Sequence, residues 1–315
     1  LDRKIPVIIC VDAEPDRRLF DPGSREPWSG FERSYEFFSA LRPRLAKVTG
    51  SPTHFSWFFR MDPQVEAGYG SPEWCARTYP KWIQDLKKNG DELGLHAHAW
   101  RWDEGGNRWI VDHGDQAWVD HCVDVSFRAF RRSFGFDCRS FRFGDAWMNN
   151  ETVGLLEKLG ARFDLTVESG KPPVRAERAK ETVTGDVPDY TDTPKVPYRP
   201  SKHDYRKADP ARVDGLWMIP VSGGNFPDRF WRKPKFRALR LAINPRAFAR
   251  CIEKILKTFK KPILVPEVRV CATLHAQRFD HMVKNVEHLA AHKDARCFVF
   301  STPSEALELL GYPPA

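Results

Sequence analysis

Apolar residues fall in short β-rich runs that alternate with stretches of helical periodicity along nearly the whole chain, the pattern of repeated βα units and a parallel sheet or barrel. The strand candidates are residues 6–11, 53–60, 92–98, 140–144, 162–167, 216–221, 269–275 and 297–301. Between them the helix signals are local. Ser71 and Pro72 open a helix whose apolar face is Trp74, Trp82, Ile83 and Leu86, closed by Gly90. Asn150 caps a helix over 151–159 that Gly160 ends, Asn244 and Pro245 open another, and Thr302-Pro303-Ser304-Glu305 is a capping box. One stretch breaks the rhythm. Residues 171–214 are rich in charge and contain Pro172, Pro173, Pro188, Pro194, Pro197 and Pro200, the mark of a functional lid or an inserted loop. Because strands of the same barrel flank it, the expected architecture is one domain over residues 1–315, a distorted parallel (β/α)7-type barrel with a long insertion.

Composition narrows the class. With 315 residues, 41% of them hydrophobic, the chain can bury a sizeable core, which excludes a disordered, collagen-like or coiled-coil protein. No apolar run approaches the roughly 20 residues of a membrane span, and residues 1–11 are too short and too soon followed by acids for a secretory signal, so a soluble chain is expected. The net charge of +8 favours anionic partners, but basic residues are spread end to end. A modest cluster (Arg229, Arg232, Lys233, Lys235, Arg237, Arg240) is no nucleic-acid stripe, and no nucleic-acid partner is expected. Seven cysteines, an odd number without CxxC spacing, speak against a disulfide framework or a Cys-ligated zinc and for a reducing compartment, the cytoplasm.

In a parallel barrel the reactive groups stand at the carboxyl ends of the strands, and here those ends are unusually polar. The first strand runs straight into Asp12-Ala13-Glu14, whose i, i+2 spacing puts two carboxylates on one side. The third ends in His96-Ala97-His98, two imidazoles so spaced that they can share a metal, and imidazole with carboxylate suits zinc better than magnesium or calcium. Arg142 and Asp145 follow the fourth strand, and His275 is placed at the end of the seventh. Each alone has a structural explanation. Charged or titratable groups on four strand ends together point to a reaction site.

These residues carry a family resemblance. Val-Asp-Ala-Glu after strand one, Glu-Leu-Gly-Leu-His at strand three, Phe-Arg-x-Gly at strand four, Leu-Trp-Met-Ile-Pro-Val-Ser at strand six and Thr-Leu-His at strand seven resemble the NodB-type polysaccharide deacetylases over almost the full length. Pro-Thr-His-Phe-Ser-Trp-Phe-Phe-Arg at strand two is similar as well. The resemblance implies a distorted (β/α)7 barrel that holds one divalent metal, generally zinc, and removes an N-acetyl group from an amino sugar.

Carried over residue by residue, it implies Asp12 as catalytic base, Arg142 as the arginine that positions it, His275 as catalytic acid, and Glu14 and His96 as metal ligands. There are two departures: Ala13 replaces the second acid of the commoner Asp-Asp, and Trp100 stands where a second metal histidine normally lies. His98 is the candidate to replace that ligand from the same face. Arg60, Trp100, Asp145 and Trp147 are the candidates for contact with a carbohydrate substrate, one of anionic character given the net charge. Trp28, Trp102 and Trp231 lie in or beside loops on the same side, where aromatic faces can stack on sugar rings. The rival readings are a non-catalytic carbohydrate-binding barrel and a metal-independent, allantoinase-like hydrolase of cyclic amides.

Overall fold

The computed structural model describes residues 4–175, 186–226 and 235–313. The first apolar run folds as two strands, β1 (Ile5–Val7) and β2 (Cys10–Ala13), followed by α1 (Ser29–Thr49). Next come β3 (Ser56–Arg60), α2 (Pro63–Tyr69), α3 (Trp74–Thr78), α4 (Pro80–Lys88) and β4 (Glu92–Ala97). A hairpin of β5 (Trp100–Asp103) and β6 (Arg108–Val111) leads to α5 (Gln116–Phe134), β7 (Ser140–Phe143), α6 (Asn150–Lys158) and β8 (Phe163–Asp164). After the insertion come β9 (Trp217–Met218), a second hairpin of β10 (Gly223–Phe226) and β11 (Lys235–Ala238), and α7 (Pro245–Thr258). The chain closes with β12 (Glu267–Arg269), α8 (Ala276–Ala290), β13 (Phe298–Phe300) and α9 (Pro303–Leu309).

Among the described residues the main sheet has seven strands, all parallel, in the order β12-β2-β3-β4-β7-β8-β9, curled as a half-barrel with β1 and β13 as a separate parallel pair. This is the distorted (β/α)7-type barrel expected of the sequence. An aromatic layer packs α1 onto the sheet: Phe31 meets Trp57 edge to face at 5.8 Å and Phe38 meets Phe55 at 4.9 Å, all four buried. Trp28 belongs to that layer, beside Phe31, Tyr69 and Trp74, and shows no face to solvent. None of the described helices is long and apolar enough to cross a membrane.

The local signals hold with three adjustments. The capping box at Thr302 and Glu305 forms, and the Asn244 side chain accepts from the Arg246 amide. The helix expected after Ser71 is two helices, because Pro80 has no amide to continue α3 and instead starts α4. Asn149, not Asn150, caps α6 by accepting from the Thr152 amide at 2.8 Å. Asn150 binds the insertion, donating to the carbonyl of His203 and accepting from the amide of Tyr205. The third adjustment concerns the seventh strand, which spans 267–269, with residues 270–274 turning as a 3₁₀ helix.

The described part of the insertion is packed. Val187, Tyr190, Tyr198, Arg199 and Tyr205 are buried, and the Tyr198 backbone pairs antiparallel with Met218, covering the sheet edge that β9 would otherwise expose. Residues 176–185, with Arg178 and Lys180, lie outside the described residues, as do Arg229, Trp231, Arg232 and Lys233 of the basic cluster. Of the rest of that cluster, Lys235 and Arg237 are exposed on β11, and Arg240 is ion-paired.

Candidate active site

The parallel register sets the site. It aligns Arg269 with Asp12, Arg60 with His96, and His96 with Arg142, so the carboxyl ends of β12, β2, β3, β4 and β7 bring their polar residues to one place. Glu14 and His98 follow one residue beyond β2 and β4. One ligand atom each from Glu14, His96 and His98 lies within 4.8 Å of the others, and all three residues are buried.

The two imidazoles are aimed by what their outer nitrogens bind. Nδ1 of His96 donates to the Arg142 carbonyl, and Nδ1 of His98 to the Asp145 carboxylate, each at 3.2 Å. Both partners only accept, so both protons sit on Nδ1 and both Nε2 lone pairs face inward, 3.1 Å apart. Burial lowers both pKa values to about 4, so the rings are neutral near pH 7. Two facing lone pairs repel unless a cation lies between them. Glu14 adds an orphaned acceptor: Oε1 takes the Arg269 guanidinium, while Oε2 is buried without a hydrogen bond, with Nη1 of Arg60 4.0 Å away. Burial alone would raise the Glu14 pKa, but Arg269, His96 and Arg60 outweigh it and bring it down to about 2. Two neutral imidazole nitrogens and one ionised carboxylate oxygen, with the outer nitrogens fixed, are a donor set that fits zinc.

Beside this group lies a chain of ion pairs that runs from buried Arg142 out to the exposed Arg240. Arg142 donates through Nε to Asp12 at 2.8 Å and through Nη1 to the Leu165 carbonyl at 2.7 Å, while Nη2 meets Glu267. Glu267 also binds Arg240, which reaches Glu168 at 3.0 Å, and Lys171 closes the chain on Glu168 at 2.7 Å. Asp12 is 2% exposed and Arg142 6%, so the Arg142 guanidinium fixes the direction of a carboxylate that is shielded from solvent.

No family model and no curated protein matches the sequence. Solved structures do match its course. A glycoside hydrolase/deacetylase candidate from Parabacteroides distasonis superposes over 98% of this chain and 71% of its own, with TM-score 0.57 and 12% identity. A probable polysaccharide deacetylase from Pseudomonas aeruginosa PAO1 covers 98% and 91%, with TM-score 0.54 and 13% identity. The PuuE allantoinase covers 98% and 90%, with TM-score 0.51 and 13% identity. The chain has the polysaccharide-deacetylase fold.

On this deacetylase fold the remaining candidates do not all reach the site as expected. Arg60, Trp100 and Trp147 are buried and the Asp145 side chain is 3% exposed, so these residues are supports rather than faces for a substrate. Arg60 is clamped by Asp62 and Gln64, and its guanidinium lies over the Trp100 ring at 5.1 Å, as does that of Arg18 at 4.8 Å. Trp100 backs the His98 ring at 4.4 Å between centroids. Asp145 is held between His98 and Arg18. It has φ +59°, and Ala146 after it φ +53°, a left-handed pair that costs roughly 1–2 kcal/mol per residue. Trp147 stacks on His113 at 4.4 Å.

His275 differs from expectation for a geometric reason. The strand ends at Arg269, and the 3₁₀ turn carries the chain on before His275, which is exposed at the start of α8, its imidazole without a hydrogen bond or ion pair among the described residues. Sequence inspection missed Glu267 and Arg269, which take the strand-end places assigned to His275. It also missed Arg18 and Asp62. Asp62 stood just past a predicted strand end, whereas Glu267, Arg269 and Arg18 did not.

Proposed function

We propose that this protein is a metal-dependent hydrolase that removes N-acetyl groups from an amino sugar of a surface polysaccharide or its precursor. The observation that carries this reading is the convergence of Glu14, His96 and His98 within 4.8 Å, beside the Asp12–Arg142 pair, at the strand ends of a deacetylase fold. Those three residues would hold one divalent ion, zinc by their chemistry, and when bound it supplies Lewis acidity at the acetyl carbonyl. Asp12 acts as general base on the attacking water. Arg142 keeps one oxygen of Asp12 engaged so that the carboxylate has one orientation, and Glu267 with Arg240 holds Arg142 in turn. Arg269 balances the charge of Glu14. The net charge of +8 favours a glycan of anionic character, and seven unpaired cysteines favour the cytoplasm.

The metal-ligating trio favours this reading over a metal-independent, allantoinase-like one. The test is metal content by elemental analysis, together with acetate release from N-acetylglucosamine oligosaccharides with and without a chelator. Stoichiometric zinc with chelator-sensitive release is the expected result. Chelator-insensitive hydrolysis of a cyclic amide, or tight sugar binding without turnover, would overturn the proposal.

A further inference from the structure

The insertion meets the site through tyrosines. Tyr190, fully buried, donates its hydroxyl to the Ala146 carbonyl at 2.9 Å, and Tyr205 donates to the Met148 carbonyl at 2.8 Å. Tyr198 donates to the Tyr205 carbonyl at 2.9 Å, and the Tyr190 backbone is tied to Gly170 and Lys171 at 2.8 and 3.0 Å. Two carbonyls of the 146–148 segment are thus gripped from outside the barrel. Directly before the grip come the two left-handed residues, Asp145 and Ala146. Aspartate tolerates that region and alanine does not, so the local sequence does not select it; the surroundings must. What the conformation achieves is the placement of the Asp145 carboxylate on Nδ1 of His98.

We propose that Tyr190 is a positioning residue for His98. By holding the Ala146 carbonyl it keeps the 145–146 backbone left-handed, and Asp145 then fixes His98 as the Nδ1–H tautomer with Nε2 turned toward His96 and Glu14. The insertion is a brace for the site. Its effect on metal affinity rests on the function proposed above, whereas its effect on the His98 tautomer does not.

Tyr190→Phe keeps the ring in its slot and removes the hydroxyl that donates to Ala146; the same oxygen also accepts from Tyr205 at 3.4 Å, and Tyr205 keeps its bond to the Met148 carbonyl. In the full-length, metal-free protein at about pH 7.5, where imidazole is largely neutral, NMR of ¹⁵N-labelled histidine is expected to show His98 as the Nδ1–H tautomer in wild type and as a mixture of tautomers in Tyr190→Phe. The zinc dissociation constant is expected to rise about 10-fold in Tyr190→Phe and about 10- to 100-fold in Asp145→Ala. The double variant should bind no more weakly than Asp145→Ala, because both act through one contact. An unmoved tautomer in Tyr190→Phe, a loss that adds fully in the double variant, or a fall in thermal stability with zinc affinity unchanged would overturn the brace. Wild-type protein that shows the tautomer and takes up no zinc would refute the metal reading instead.

Discussion

His96 and His98 turn their Nε2 atoms toward each other at 3.1 Å while acceptors on the far side of each ring hold the protons on Nδ1. Two buried neutral rings in that relation carry lone pairs in apposition, and the sequence gives them a shared neighbour of the opposite kind, the ionised Glu14. Such a set stores unsatisfied acceptor capacity that a cation relieves. The same geometry explains how a chain with Trp100 at the position of a second metal histidine keeps three donors. A strand places residues i and i+2 on one face, so His98 reaches the place from the strand end itself, and Trp100 becomes the wall behind it.

Removal of either imidazole is expected to empty the site. His96→Ala should bind no zinc after dialysis, and His98→Ala should bind at least about 100-fold more weakly than wild type, since each leaves only two of three protein donors. Competition with a chromophoric chelator measures both. Full occupancy in His98→Ala would show that another group, Asp12 foremost, completes the set.

Gly144 is required by close approach. A Cβ at this position would lie 2.0 Å from Cε1 of His98, so Gly144→Ala must displace the ring or the strand end. Overpacking of this kind costs about 1–3 kcal/mol. We expect a lower urea midpoint together with weakened zinc binding. Wild-type zinc affinity in a destabilised Gly144→Ala would show that the His98 ring moves without consequence for the metal.

What was legible in the sequence follows from how local each signal is. Thr302 and Glu305 form their capping box because both partners lie within one helical turn. Asp12, Glu14, His96, His98 and Arg142 were legible because a parallel sheet brings strand ends together whatever the intervening chain does. Glu267 and Arg269 were hidden by the apolar residues 270–272, which with the β-branched Thr273 read as a strand and fold as a 3₁₀ turn, shifting the apparent strand end to His275. The insertion was read as loop from its prolines and charges. Its packing depends on Tyr190 and Tyr205, whose hydrogen bonds to residues 146 and 148 span more than 40 positions and leave no periodicity to detect.

His54 and Glu305 give the fold a pH-dependent contribution away from the site. They meet at 2.9 Å, tying the residues before β3 to the first turn of α9. The hydrogen bond to Glu305 raises the His54 pKa; burial would raise that of Glu305, but His54 and Thr302 outweigh it and lower it. The His54 contribution is present below its unfolded value of about 6.5 and is lost as pH rises through the folded value. The Glu305 contribution is present above about 4.5 and is lost as pH falls through the folded value. The pair therefore stabilises most between roughly pH 4.5 and 6.5. Because it is partly exposed, its worth is about 0.5–1 kcal/mol. His54→Gln should lower unfolding free energy by that amount at pH 5.5 and by less at pH 8.5, measured by urea denaturation. An equal loss at both values would assign His54 a packing role only.

Arg142 should not be replaceable by lysine. Its three nitrogens serve Asp12, the Leu165 carbonyl and Glu267 at once, and one ammonium group cannot reproduce that fork. Arg142→Lys is expected to lower kcat by about 100-fold with zinc content unchanged, the signature of a misdirected base rather than a lost metal. A kcat within threefold of wild type would show that charge alone suffices.

The identity of the proton donor to the departing amine separates family resemblance from this structure. The resemblance assigns the task to His275. A general acid must come within about 2.6–3.2 Å of the atom it protonates, or reach it through one water. His275 is exposed beyond the 3₁₀ turn, its imidazole hydrogen-bonded to none of the described residues, whereas Asp12, Arg142, Glu14, His96 and His98 are buried. With its imidazole exposed and bound to no described residue, His275→Gln is expected to retain kcat/KM within about threefold of wild type and to keep the alkaline limb of its pH profile. Deacetylation assays over pH 5 to 10 at constant zinc saturation make the measurement. Loss of the alkaline limb with kcat down about 100-fold would place His275 over the substrate during turnover.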